Sequence, residues 1–110
     1  MSKEATAPRV VVTGLGTINS HGVGVDKLWD GVLSGTSGIR KIESFDVSEL
    51  TSKVGAEVLD FEVSDFMDVK EARRNDRFTH FAVASSRLAV KDAGIDLEAL
   101  DAERFGIYVG

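Results

Sequence analysis

The chain has 110 residues, 43% of them hydrophobic, and a net charge of −5; this fits one small folded domain and argues against both a disordered chain and a general nucleic-acid binder. It contains no cysteine, which excludes disulfides, thiolate metal sites and a thiol nucleophile within it. No apolar run approaches a membrane span, and Met1-Ser2-Lys3-Glu4 lacks the apolar core of a secretory signal, so a cytoplasmic location is expected.

Residues 1–8 read as a short flexible leader ending at Pro8, and 9–110 as the domain proper. Arg9 to Thr13 holds three consecutive valines, the pattern of a strand buried on both faces in a parallel sheet. Gly14-Leu15-Gly16 turns the chain, and Thr17 to Gly24 is a loop. Asp26 is the expected N-cap of a helix from Lys27 to Ser34, with Val25 in the staple position. Val25, Leu28, Trp29, Val32 and Leu33 form its stripe, and Gly35 is its stop signal. Thr36 to Asp46 is a connection with Ile39, Ile42 and Phe45 as apolar plugs. Lys53 to Leu59 alternates, with Val54, Ala56 and Val58 on one face, and predicts a half-exposed strand near an edge. Ser64 to Arg74 predicts a short helix.

The segment from Arg73 to Gly94 is the most informative. Phe78, Phe81, Ala82, Ser85, Leu88, Ala89 and Ala93 make one helical stripe, and Val83, Ala84 and Val90 a second. A helix apolar on more than one face is expected to be enclosed by protein. Asp76 is placed to cap its first turn through the carboxylate, and Gly94 to end it in the left-handed conformation. Ile95 to Glu103 is acidic, and Arg104 to Gly110 predicts a last strand. The alternation of strands and helices implies an α/β fold with at least some parallel pairing. An enclosed helix needs layers that 110 residues supply poorly, so the chain reads as part of a larger unit, with unpaired edges and poor stability alone.

Candidate chemistry is sparse. Gly14-x-Gly16 after a valine-rich strand invites a dinucleotide-binding reading, but the third position is Asn19 and the helix starts about ten residues after Gly16, so phosphate would not meet a helix N-terminus. Tight turning and close packing suit these glycines better. His21 and His80 have no cysteine and no recognisably spaced carboxylate to form a metal site, and a surface or hydrogen-bonded structural role suits each. Ser85 and Ser86 lie inside the long helix, not on a strand-to-helix elbow, which argues against a nucleophilic serine. Lys70, Arg73, Arg74 and Arg77 recur at helical spacing and form a basic collar on an acidic chain. Two readings of it stand: a solvated face balanced by Glu71 and Asp76, or a docking patch for an acidic partner or a phosphate.

Several segments, in order, resemble one family: Arg9-Val-Val-Val-Thr-Gly-Leu-Gly16, Leu28-Trp29, Leu33-Ser-Gly-Thr-Ser-Gly-Ile39, Phe45-Asp46, Asn75-Asp-Arg-Phe78 through Asp92-Ala-Gly94, and Phe105-Gly-Ile-Tyr-Val-Gly110. Together they are similar to the N-terminal portion of an elongating β-ketoacyl-acyl-carrier-protein synthase. The resemblance implies part of a thiolase-like fold of α/β/α/β/α layers, a homodimer when full length, and an acyl carrier protein as partner. It implies a decarboxylative Claisen condensation in fatty-acid synthesis on an active-site cysteine assisted by two histidines, all beyond Gly110, so this chain alone would carry no catalytic residue and be inactive. No cofactor, metal, membrane or nucleic acid is implied. Lys70, Arg73 and Arg74 match positions that help dock the acidic helix of the carrier protein in bacterial members. The sequence departs from the usual pattern at Asn75, where methionine is common, and at His80, where glutamine is common. A non-catalytic chain-length-factor subunit of polyketide synthesis and an independent nucleotide-binding domain are the alternatives.

Overall fold

The computed structural model describes residues 7–110; most of the expected leader, residues 1–6, lies outside them. Two short antiparallel ladders and three α-helices make up the regular structure. Strands β1 (Ile18–Asn19) and β2 (Gly22–Val23) pair Ile18 with Val23, and β3 (Arg40–Lys41) and β4 (Val54–Gly55) pair Arg40 with Gly55. Helix α1 spans Val25–Ser34, α2 Val69–Ala72 and α3 Arg77–Ala93, with single 3-10 turns at Val63–Asp65 and Ala102–Arg104.

The axis of the fold is α3, and the chain before β1 lies along it. A Cβ on Gly14 would collide with the Ala89 carbonyl, and one on Gly16 with the Ser85 carbonyl and the Ala89 nitrogen. The glycines therefore let backbone rest on backbone over the small-residue face of α3. The Leu15 N–H donates to Asp92 Oδ2 at 2.8 Å, which fixes the register of that contact. The packing reading of Gly14-x-Gly16 is correct: the pair faces the middle and end of a helix, where no phosphate-binding N-terminus exists. The hairpin of β1 and β2 continues from this seat, and α1 follows it, starting from Gly24.

Helix α1 begins earlier than expected. Gly24, at φ 98° and ψ 159°, occupies the N-cap position, and Asp26 lies inside the first turn, where its charge complements the helix dipole. Gly35 ends α1 in the left-handed conformation, as Gly94 ends α3. Asp76 holds the N-cap position of α3, but its side chain accepts no hydrogen bond from the first turn.

The expected strands at 9–13 and 104–110 do not form. Both segments run outside any ladder, with Val10 93% and Tyr108 96% exposed. A strand exists only with a neighbour to take its backbone hydrogen bonds, and among the described residues neither segment has a ladder partner. The strand expected at 53–59 is reduced to β4, and both ladders are antiparallel, not parallel. Nor is α3 enclosed: Ala84 is its single buried residue, and Phe78 is 73% exposed. The radius of gyration is 18.9 Å, against about 13 Å for a compact domain of this length. The accessible surface of 9361 Å² exceeds that of a compact protein of equal mass by about 3,400 Å².

Around β3 and β4 the chain is tied by two polar clamps. Lys53 Nζ donates to the carbonyls of Val47, Ser48 and Leu50 at 2.9, 2.8 and 3.1 Å, using all three of its protons and closing a loop over the buried Val47. Glu57 accepts from the Glu43 N–H at 2.9 Å and from the Ser44 N–H at 3.2 Å, and also bonds the Ser44 hydroxyl. The Ser44 hydroxyl, then the Glu43 N–H, hold the Glu57 carboxyl below its ordinary value.

Two outcomes follow from these contacts. Gly16→Ala should lower thermal stability by about 1–3 kcal/mol, because the new methyl meets α3 backbone that cannot swing aside; an unchanged melting temperature would contradict the close seat. Because the folded Glu57 pKa is depressed, the clamp's contribution is present above the ordinary glutamate value of 4.5 and fades as pH falls through the lower folded value. Melting curves of wild type and Glu57→Gln should therefore differ near neutrality and converge in acid.

Candidate functional site: a basic turn held against the long helix

The three cations expected to act together, Lys70, Arg73 and Arg74, lie on one short element. Asp68 starts α2, its carboxylate accepting the Lys70 N–H at 2.8 Å. Lys70 sits inside the helix, Arg73 caps it in right-handed helical geometry, and Arg74 follows in the turn. The Arg73 N–H reaches the Val69 carbonyl at 3.2 Å, and the Arg74 N–H the Glu71 carbonyl at 3.0 Å. The helical path thus continues through Arg74, and the three side chains leave from one turn. All three residues are exposed, while Ala72, on the opposite side, is 5% exposed.

The helix expected at 64–74 is broken. Its first part is the 3-10 turn Val63–Asp65, capped by Glu62, whose carboxylate accepts the Ser64 N–H at 3.2 Å. The chain then bends at Phe66 and Met67, and Met67, 8% exposed, joins Ala72 in the small core. A continuous helix could not bury both residues and also cap its two halves separately.

Arg77 does not belong to the collar. Its Nη2 donates to the Val58 carbonyl at 2.7 Å, and its guanidinium lies 5.0 Å from the Phe81 ring centroid and 5.7 Å from that of Phe61. Phe61 meets Phe81 edge-on at 5.1 Å and stacks on Phe66 at 5.7 Å. Arg77 thus rivets the 58–66 segment to the start of α3 through a charge-assisted hydrogen bond and two aromatic faces. The i+7 spacing that grouped it with Lys70 fails because the chain breaks between Arg73 and Asp76.

The remaining candidates are structural. His80 Nε2 lies 2.8 Å from the Ala72 carbonyl, joining α3 to the end of α2. The His21 ring packs on Gly31 of α1, where a Cβ would overlap it, and the His21 N–H donates to Asn19 Oδ1 at 2.8 Å. Ser85 Oγ is engaged by the Phe81 carbonyl at 2.6 Å. Among the described residues no group of three His, Cys, Asp or Glu could hold a metal ion, and no helix is long and apolar enough to cross a membrane.

The sequence model of the family described as "Beta-ketoacyl synthase, N-terminal domain" matches residues 7–110. The chain belongs to the β-ketoacyl synthase family. Among curated relatives, the 3-oxoacyl-[acyl-carrier-protein] synthase 2 of Synechocystis sp. is 44% identical over 102 residues, covering 93% of this chain and 24% of the relative. That of Staphylococcus aureus is 40% identical, with 93% and 25% covered. A solved structure described as the ishigamide ketosynthase/chain length factor superposes with a TM-score of 0.70 at 35% identity, over 82% of this chain and 22% of that one. The chain therefore spans about a quarter of the length of the curated synthases it matches, and its fold is the N-terminal portion of a thiolase-like ketosynthase.

The contrast between the arginines is measurable. Arg77→Ala should cost about 1–2 kcal/mol of stability, through the lost bond to Val58 and the lost ring contacts, whereas Arg73→Ala and Arg74→Ala should shift it by less than about 0.5 kcal/mol. Equal losses at Arg73 and Arg77, read by denaturant unfolding, would contradict the division of roles.

Proposed function

We propose that the enzyme carrying this segment is a β-ketoacyl-acyl-carrier-protein synthase of fatty-acid biosynthesis, cytoplasmic and homodimeric, and that Lys70, Arg73 and Arg74 form part of its carrier-protein docking surface. The family match and the naming of the similar proteins as 3-oxoacyl-[acyl-carrier-protein] synthase 2 support the reaction. In it a cysteine thiolate outside this segment holds the acyl group as a thioester. Malonyl thioester loses carbon dioxide, and the resulting carbanion attacks the acyl carbonyl and expels the thiolate. Two histidines, also outside the segment, assist. Residues 1–110 bind no cofactor in this reading and are inactive alone.

The observation that carries the docking assignment is the exposed turn of three cations on a chain of net charge −5. A local positive patch on an acidic protein attracts an acidic partner in one orientation and repels approach elsewhere. The solvated-face reading requires Glu71 and Asp76 to neutralise the patch. Asp76 lies past the break, and Glu71 shares the turn with three opposing charges.

A second reading draws on the likeness to a structure described as a ketosynthase/chain length factor: the segment would belong to a non-catalytic partner subunit. Condensation by the intact protein, abolished by a thiol-alkylating reagent, supports the enzyme; an intact protein without a reactive cysteine supports the partner. The docking surface has its own test. Arg73→Glu with Arg74→Glu should raise the KM for malonyl-carrier protein about tenfold at low salt, and added salt should narrow the difference. An unchanged KM would remove the assignment.

A further inference from the structure

We propose that Asn75 and His80 are positioning residues for the docking turn, holding α2 at a fixed place on α3 so that Lys70, Arg73 and Arg74 meet the acidic carrier protein as one surface. The inference rests on the docking reading above and adds the side chains behind the patch that control it.

Helix α2 has four residues, far below the length at which a helix persists without outside support. Its N-terminus is held by Asp68 and its middle by burial of Ala72. Its C-terminal carbonyls would ordinarily be left without intrahelical partners. Here the last two, those of Glu71 and Ala72, each take two donors. The Glu71 carbonyl accepts from the Arg74 N–H at 3.0 Å and from Asn75 Nδ2 at 2.9 Å. The Ala72 carbonyl accepts from the Asn75 N–H at 3.2 Å and from His80 Nε2 at 2.8 Å.

These two carbonyls belong to the turn from which the arginines emerge. A carbonyl only accepts, so His80 carries its proton on Nε2 and donates. His80 stands on the 17-residue helix α3, whose own length and glycine seat fix it. The imidazole is therefore the side-chain link between the cationic turn and the scaffold, while Asn75 closes the turn on itself. Lysine and arginine side chains are long and mobile, so what the protein can preorganise is the backbone from which they spring. Anchoring that backbone lowers the ordering cost of docking.

The test uses the intact enzyme, with malonyl-carrier protein compared against malonyl-pantetheine, which bypasses docking, and with direct binding of fluorescently labelled carrier protein. His80→Phe keeps a ring of similar size but removes the donor; His80→Gln restores an N–H at similar reach. His80→Phe should raise both the carrier-protein Kd and the KM for malonyl-carrier protein about three- to tenfold, the scale of one lost hydrogen bond with its acceptor left short. His80→Gln should stay within about twofold of wild type on the same scale, and turnover of malonyl-pantetheine should not follow the His80→Phe loss. Asn75→Leu, which removes only the Glu71 bond, should weaken binding in the same direction and supplies the comparison if His80→Phe does not fold.

Carrier-protein affinity unchanged in His80→Phe, or in Asn75→Leu where that variant stands in, while Arg73→Glu with Arg74→Glu weakens it, would overturn positioning and leave docking intact. His80→Gln as damaged as His80→Phe, or malonyl-pantetheine turnover falling in parallel, would also overturn it. Affinity unaffected by charge reversal at Arg73 and Arg74 would remove the docking reading and this inference with it.

Discussion

Backbone resting on backbone along α3 is the contact from which the rest of this structure is arranged. Side chains at positions 14 and 16 would collide with α3 backbone and push the preceding segment off the helix, away from the Leu15 to Asp92 bond. With the glycines, the chain enters the β1–β2 hairpin at a set place. The hairpin then delivers His21 onto Gly31 of α1. Gly31 costs α1 helix propensity, and what it provides is room for a ring. Two close approaches, each made possible by a missing methyl, thus locate the N-terminal third of the chain without a large apolar core.

The other end of α3 works by polar contact. Arg77 holds the 58–66 segment, and His80 holds the end of α2, from adjacent turns of one helix. Hydrogen bonds from side chains to carbonyls suit this place because the segments they hold are irregular and have backbone acceptors to spare. Lys53 and Glu57 follow the same logic in the 43–57 region, each serving three neighbouring groups. Little burial is involved: Val47, Met67, Ala72 and Ala84 are the buried hydrophobic residues. The described chain is therefore ordered by local clamps on a helical axis, while apolar surface at Val10 to Val12, on α1 and at Ile107 to Val109 faces outward.

That division explains what could be read from the residues. The long helix, its Gly94 stop, the Gly35 stop of α1 and the packing role of Gly14-x-Gly16 were legible, because periodicity and left-handed glycines are local signals. The strands at 9–13 and 104–110 were read from valines and aromatic residues that do carry strand character. Character alone cannot make a ladder, since a strand is a relation between two segments. The two apolar stripes of α3 are present, and their exposure, with Ala84 alone buried, is what a helix whose enclosing layers 110 residues supply poorly should show. Lys53, at the start of the strand expected over 53–59, folds back as a loop clamp, a role with no sequence signature because carbonyls at any nearby position can accept. That Lys70, Arg73 and Arg74 share one turn is legible from their spacing. Arg77 stands apart from them, its guanidinium held on the Val58 carbonyl and the rings of Phe61 and Phe81.

Asn75 and His80 are the two side chains that fill the last carbonyl sites of α2. The pair acts on consecutive carbonyls of one turn, so the two side chains have a common physical consequence: the turn is closed from within by one and tied to α3 by the other. A patch of three like charges resists being gathered, since each cation raises the electrostatic cost of the next. Held only by its backbone, a four-residue helix would relieve that repulsion by unwinding. The two donors oppose unwinding at the carbonyls where it would start.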